Sequence, residues 1–211
     1  MAEIDWGEAR RYLGLHRPGG TVDAHTEDEL RICGAELERT ARPRAVWTAF
    51  PLTLGEDSAT LAGLTFHSRS LRRHLDGCGQ AALFAATLGV ECDRLLRRYG
   101  ASDMGRAVMV QACAASLLEA YCDECGQKLA GETGRYLRPR FSPGYGDWAV
   151  QDQRGILDAL AAGKRIGLNA TEALMLTPTK SVTAVVGLAD TPWCGAEGCA
   201  GCGKRECAFR R

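Results

Sequence analysis

Arg138-Pro139-Arg140-Phe141-Ser142-Pro143-Gly144-Tyr145-Gly146-Asp147-Trp148 is the stretch on which the rest of the sequence turns. Proline at 139 and 143 fixes φ, and glycine at 144 and 146 allows positive φ, so the segment is neither a plain helix nor a central strand. It reads as a shaped loop that holds two guanidinium groups and three rings at set angles. A planar Arg fork suits a carboxylate, and an aromatic face suits a flat base or a sulfonium cation. The same composition also fits a surface turn with a solvated Arg pair.

The chain on either side alternates between helical and strand-like patterns. After the loop come a helix over 151–161, the tripeptide Ile166-Gly167-Leu168 and a β-rich run at 181–188, SVTAVVGL. Before it lies a long Ala-rich helix over 104–129, preceded by an amphipathic helix over 90–99. The continuous apolar run at 81–88, AALFAATL, is short and flanked by glycines, which favours a buried strand. RAVWTAFPLTL at 44–54 and TLAGLTF at 60–66 read as strands around the turn Gly55-Glu56-Asp57. Ser70 is placed to cap a short helix over 71–75, which His74 and Asp76 finish. Apolar spacing predicts a first helix over 5–15. Thr26 with Glu29 resembles a capping box opening a second helix that stops before Pro43. Strand pairs separated by helices, without regular alternation, predict an α+β fold with a mixed or antiparallel sheet. Composition changes sharply at Asp190, which divides the chain into a main domain, 1–189, and a small Cys-rich tail, 190–211.

The chain has 211 residues and a formal net charge of zero, with no long basic run. Neither nucleic acid nor an anionic membrane is expected as its main partner. No apolar stretch has the length of a bilayer span, and the acidic start lacks a signal-like apolar segment. A cytoplasmic protein is expected. Ten cysteines are many for such a protein, and in a reducing compartment they point to metal or redox chemistry.

Four of them crowd the tail as Cys194-x4-Cys199-x2-Cys202-x4-Cys207, with adjacent glycines that give tight turns. Four thiolates at short spacing form a metal-ligand pattern. Zinc would clamp a tail that has no apolar core of its own, whereas an iron–sulfur cluster would add electron transfer. Spacing alone does not choose between them. Cys122 and Cys125 share one face of the long helix, but lack the βαβ setting of a thioredoxin-like motif, and read as packed thiols. The four histidines form no ligand pair. There is no Walker loop, no dinucleotide fingerprint and no nucleophile elbow. Glu119 sits among Leu and Ala on the long helix, facing either a ligand or solvent.

Three stretches in order carry a resemblance. Arg140-Phe-Ser-Pro-Gly144-Tyr145 resembles the Arg-x-x-x-Gly-Tyr segment of the activation, or S-adenosylmethionine-binding, domain of cobalamin-dependent methionine synthase. Leu118-Glu119-Ala120-Tyr121 is similar to that domain's helix with a ligand-facing Glu. Ile166-Gly167-Leu168, Thr171-Glu172, Pro178 and Ser181-Val182 are similar to its Ile-Gly to Ser-Val run. Together they span about 104–188. Gly146-Asp147-Trp148 departs from the family's Pro-containing run, no residue here matches its N-terminal acidic ligand, and the cysteine tail has no counterpart.

The resemblance implies a C-shaped α+β domain with a twisted antiparallel sheet and flanking helices. It implies S-adenosylmethionine binding, with Arg140 at the methionine carboxylate, Gly144 admitting close backbone approach and Tyr145 lying along the ligand. Glu119 would sit near the ligand's polar end, and the Ser142 main chain would touch the adenosine part. The chain is too short to hold homocysteine, folate and cobalamin modules as well. It would therefore act in trans on a separate methionine synthase lacking this domain, in a methyltransferase reactivation system that returns cob(II)alamin to methylcobalamin. Cobalamin would come only through that partner, and a flavodoxin or ferredoxin would donate the electron. Two other readings stay open: an S-adenosylmethionine-binding adaptor or sensor with structural zinc, and a methyltransferase with a small-molecule acceptor, against which the missing Rossmann glycine loop counts.

Overall fold

A computed structural model describes residues 2–15 and 22–192. In chain order its elements are α1 (Trp6–Tyr12), α2 (Ala24–Thr40), β1 (Arg44–Pro51), β2 (Thr53–Leu54), β3 (Ser58–Leu61), β4 (Leu64–His67), α3 (Arg69–His74), β5 (Gln80–Thr87), α4 (Val90–Ser102), α5 (Met104–Thr133), β6 (Tyr136–Leu137), a 3-10 turn (Val150–Asp152), α6 (Gln153–Ala159), α7 (Ala162–Ile166), β7 (Asn169–Ala170), β8 (Leu176–Thr177) and β9 (Ser181–Ala189). Strands β1, β5, β9 and β6 form one sheet in that order, with every pairing antiparallel. Strands β2, β3 and β4 make a second antiparallel sheet, and β7 pairs with β8. The fold is α+β, with antiparallel sheets and flanking helices.

Residue contacts divide the chain into two units. Within the described residues, one takes 2–43 and 88–124, and the other takes 44–87 and 125–192. The first is helical. Leu30, Cys33 and Leu37 of α2 are buried, as are Cys92, Leu95 and Tyr99 of α4 and Val110, Cys113 and Leu117 of α5. Ion pairs pin its helices: Arg10 forks onto Glu27 at 3.0 and 2.7 Å, and Arg106 onto Glu29 at 2.8 and 3.1 Å. Glu36 accepts from Arg98 and Tyr99. Glu119 is an exposed residue of α5 on this unit, and its charge helps raise the pKa of Tyr12, after burial of the phenol. The α2 N-cap is Asp23, whose carboxylate accepts from the Thr26 amide at 2.9 Å and the Thr26 hydroxyl at 2.7 Å. The helix therefore opens three residues ahead of the expected Thr26–Glu29 box, because a carboxylate at 23 offers the stronger acceptor.

The second unit is built around β5. Its run is buried from Ala81 to Thr87 and pairs along its whole length with both β1 and β9, so it is a central strand covered on both faces. Leu83 and Val185 lie opposite each other and join Val46, Phe66, Trp148, Ile156 and Leu160 in one core. At β9, Gly187 lies under Cys78 and the stem of Arg138. A Cβ added there would stand 2.7 Å from Cys78 Sγ and 2.8 Å from Arg138 Cγ.

Several expectations are refined in this unit. TLAGLTF is the strand β3, a turn and the strand β4, because Ala62 and Gly63 both take positive φ (55° and 74°) and fold the run back on itself. Ser68, not Ser70, caps α3, its hydroxyl accepting from Leu71 N at 3.0 Å. The helix expected over 151–161 is a 3-10 turn followed by α6, and α7 begins after Ala161, which takes a left-handed φ of 49°.

Candidate functional site

The loop 138–148 belongs to the second unit and is fixed at both ends. At its start, Arg138 N donates to Gly187 O at 2.8 Å, and Phe141 exchanges two backbone hydrogen bonds with Val185, at 3.0 and 2.8 Å. The Arg-Pro-Arg segment thus continues the edge that β6 begins on β9. The Arg138 side chain is buried, and its guanidinium donates to Asp76 O at 3.3 Å. Of the two arginines, Arg138 is therefore a core residue, while Arg140 is half-buried.

His74, the last residue of α3, reaches this segment. Its Nε2 lies 2.7 Å from Pro139 O, and because a carbonyl only accepts, Nε2 carries the proton. Burial is the main cause that lowers the His74 pKa, with the nearby Arg138 charge acting in the same direction and the Pro139 bond opposing. Its ring packs on Phe141 with centroids 5.0 Å apart.

The tip is two interlocked turns. Tyr145 N donates to Ser142 O at 3.1 Å, Trp148 N to Tyr145 O at 3.0 Å, and Gly144 N to Trp148 O at 2.9 Å. Gly144 (φ 92°) and Gly146 (φ 58°) supply the left-handed backbone these turns need. Tyr145 is 61% exposed and stands edge-on to Phe141 at 6.1 Å. The indole of Trp148 is buried, stacks on Phe141 at 6.1 Å and donates to Asp152 at 2.8 Å. The loop thus has a buried indole at its base, with Arg140 and Ser142 half-buried and Gly144 and Tyr145 exposed.

Asp147 ties the tip to α3. It accepts from Ser68 Oγ at 2.6 Å, Ser70 N at 3.0 Å and Arg69 N at 3.0 Å. These bonds, led by the Ser68 hydroxyl, hold its carboxyl far below the usual carboxylate range. Neither His74 nor Asp147 was singled out from sequence as part of the site. Their partners lie 65 to 79 residues away, and no local pattern marks them.

The structure brings Arg140, Ser142, Gly144 and Tyr145 together on one loop and carries Glu119 on the other unit. Cys194, Cys199, Cys202 and Cys207 lie outside the described residues. Among the described residues, no group of three or more His, Cys, Asp or Glu is arranged to hold a metal ion. Cys33, Cys78 and Cys113 are buried free thiols, and burial pushes Cys113 up to about 12. A cleft of about 530 Å³ lies elsewhere on the second unit, against α6, α7 and β7, with Arg154, Asp158, Lys164 and Glu172 at its walls. None of the residues singled out from sequence as ligand-binding lines it. Among the described residues, no helix is long and apolar enough to cross a membrane.

No family model and no curated protein matches the sequence. The chain does match a solved structure of the MetH reactivation domain bound to AdoHcy. The TM-score is 0.70 at 18% sequence identity, over 92% of this chain and 76% of that one. This chain shares that domain's fold.

Proposed function

We propose that this chain binds S-adenosylmethionine on the 140–145 loop and supports reductive methylation of cob(II)alamin on a separate cobalamin-dependent methionine synthase. The observation that carries this reading is the loop itself: a half-buried guanidinium and an exposed phenol ring, fixed by glycine turns, on a fold shared with a domain solved with AdoHcy. Arg140 is the fork for the methionine carboxylate, and Tyr145 offers a ring to the sulfonium or the base. The Ser142 main chain meets the adenosine part, and Gly144 leaves room for the ligand to approach. When reduced cobalt on the partner takes the methyl group, the sulfur–carbon bond breaks, its electron pair stays on sulfur, and the demethylated product leaves. Consuming the reduced cobalt draws an unfavourable one-electron reduction forward. The tail thiolates Cys194, Cys199, Cys202 and Cys207 would hold an iron–sulfur cluster or zinc, and a flavodoxin or ferredoxin would supply the electron.

Isothermal titration tests the binding step. The wild-type chain is expected to bind both S-adenosylmethionine and AdoHcy, and Arg140→Ala to bind them about ten- to a hundredfold more weakly, the scale of a lost charge-assisted pair. Absence of binding, or equal binding by the variant, would refute the reading. Mixing the chain with an inactive synthase and a reductant tests the second step: recovery of methyl transfer supports reactivation, whereas binding without recovery supports an adaptor.

A further inference from the structure

We infer that Asp147 is the positioning residue of the proposed ligand loop, clamping its tip to the start of α3 so that Tyr145 and Gly144 are set before any ligand arrives. The inference rests on the reading that the 140–145 loop takes the methyl donor.

Three observations converge on it. First, both oxygens of Asp147 are engaged, Oδ1 by Ser68 Oγ and Ser70 N and Oδ2 by Arg69 N. Second, the Ser68 hydroxyl oxygen already accepts from Leu71 N, so α3 has its own local cap. The bonds from Asp147 come from 77 to 79 residues away, and what they add is attachment of the loop. Third, the chain passes so close to α3 at this point that a Cβ on Gly146 would stand 2.6 Å from Ser70 Oγ and 2.7 Å from Ser70 Cβ. Glycine is thus required both for space and for its left-handed φ.

What the clamp fixes is the neighbouring turn. Asp147 is two residues beyond Tyr145 and directly before Trp148, whose amide holds Tyr145 O and whose carbonyl holds Gly144 N. With the tip pinned at 147 and the indole buried at 148, the backbone of 144–145 is tied through Trp148 to two fixed points. Tyr145 is exposed and has little packing to hold it, so its direction is set by that backbone. A loop ordered beforehand spends less ligand affinity on ordering itself.

The test uses Asp147→Ala and Asp147→Asn in the full chain, with two readouts. Amide hydrogen exchange over 142–148 reports the clamp, and calorimetric titration with AdoHcy reports its use. Asp147→Ala is expected to speed exchange at Gly144, Tyr145 and Trp148 and to weaken AdoHcy about tenfold, while the thermal midpoint moves little because Asp147 itself is exposed and α3 keeps its Ser68 cap. Asp147→Asn keeps one acceptor oxygen and is expected to restore part of both effects. Unchanged exchange in Asp147→Ala would overturn the clamp. Faster exchange with wild-type affinity would overturn its positioning role. A wild-type chain that fails to bind AdoHcy would instead sink the binding reading, and the exchange data would still judge the clamp.

Discussion

At the scale of single residues, the site depends on how each charge is held. Arg138 and Arg140 are two positions apart and chemically identical, yet one is a buried strut against Asp76 O and Cys78, and the other lies half-buried on the loop. Asp147 is committed to α3, and its chemistry gives a pH dependence. Its hydrogen bonds favour the charged form, so its folded value is depressed below the ordinary aspartate value of about 4. A depressed carboxyl contributes order that is present above the unfolded value and lost as pH falls through the folded one. The tip should therefore keep its order from neutral pH down to about pH 4 and loosen only in stronger acid. An NMR titration of the Asp147 carboxyl carbon checks this: a midpoint at or above the ordinary value would contradict the bonding described.

At the scale of elements, β9 carries the loop, and Gly187 sets how closely. Arg138 and Cys78 pack over the bare backbone at that position, so Gly187→Ala should cost about 1–3 kcal/mol by overpacking, read as a lowered denaturant midpoint. A slip of β9 by one residue would put Val186 or Leu188 under the Arg138 stem, so the loop's first contact also enforces the sheet's register. Much of this level was legible in the sequence. The run at 81–88 announced a buried strand by length and glycine flanks, and 181–188 by its valines; both are central in the sheet. The turn inside TLAGLTF was missed because Ala62 takes a positive φ that only the hairpin imposes. The α2 start was misplaced because two acceptors, Asp23 and Thr26, compete for one terminus. β6 was missed because two residues carry no period, and its existence depends on β9. That Arg140, Ser142, Gly144 and Tyr145 share one loop was legible because they are close in sequence. The bonds that His74 and Asp147 make there were not, because tertiary pairing alone creates them.

At the scale of the whole molecule, the fold is shared with the MetH reactivation domain. Among the described residues no group of three or more His, Cys, Asp or Glu is arranged to hold a metal ion, and we propose the four tail thiolates as the site of any metal the purified chain carries. Replacing Cys199 and Cys202 together with Ser is expected to remove that metal, and Cys33→Ser to leave it in place, both checked by elemental analysis. Visible absorbance in the anaerobic wild type, bleached by reductant, would identify a cluster, and a colourless zinc protein would exclude electron transfer through the tail.

The pairing of β5 with β9 also bears on how the chain is made. Ala81 waits for Gly187, with more than a hundred residues of chain between them. During synthesis β5 emerges early with β1 on one side and a margin of unpaired backbone N–H and C=O groups on the other, and it stays that way until β9 leaves the ribosome. A nascent chain halted before Ser181 would therefore present a ready template for pairing with its neighbours, so the yield of this protein in a cell should depend on chaperones that shield that margin.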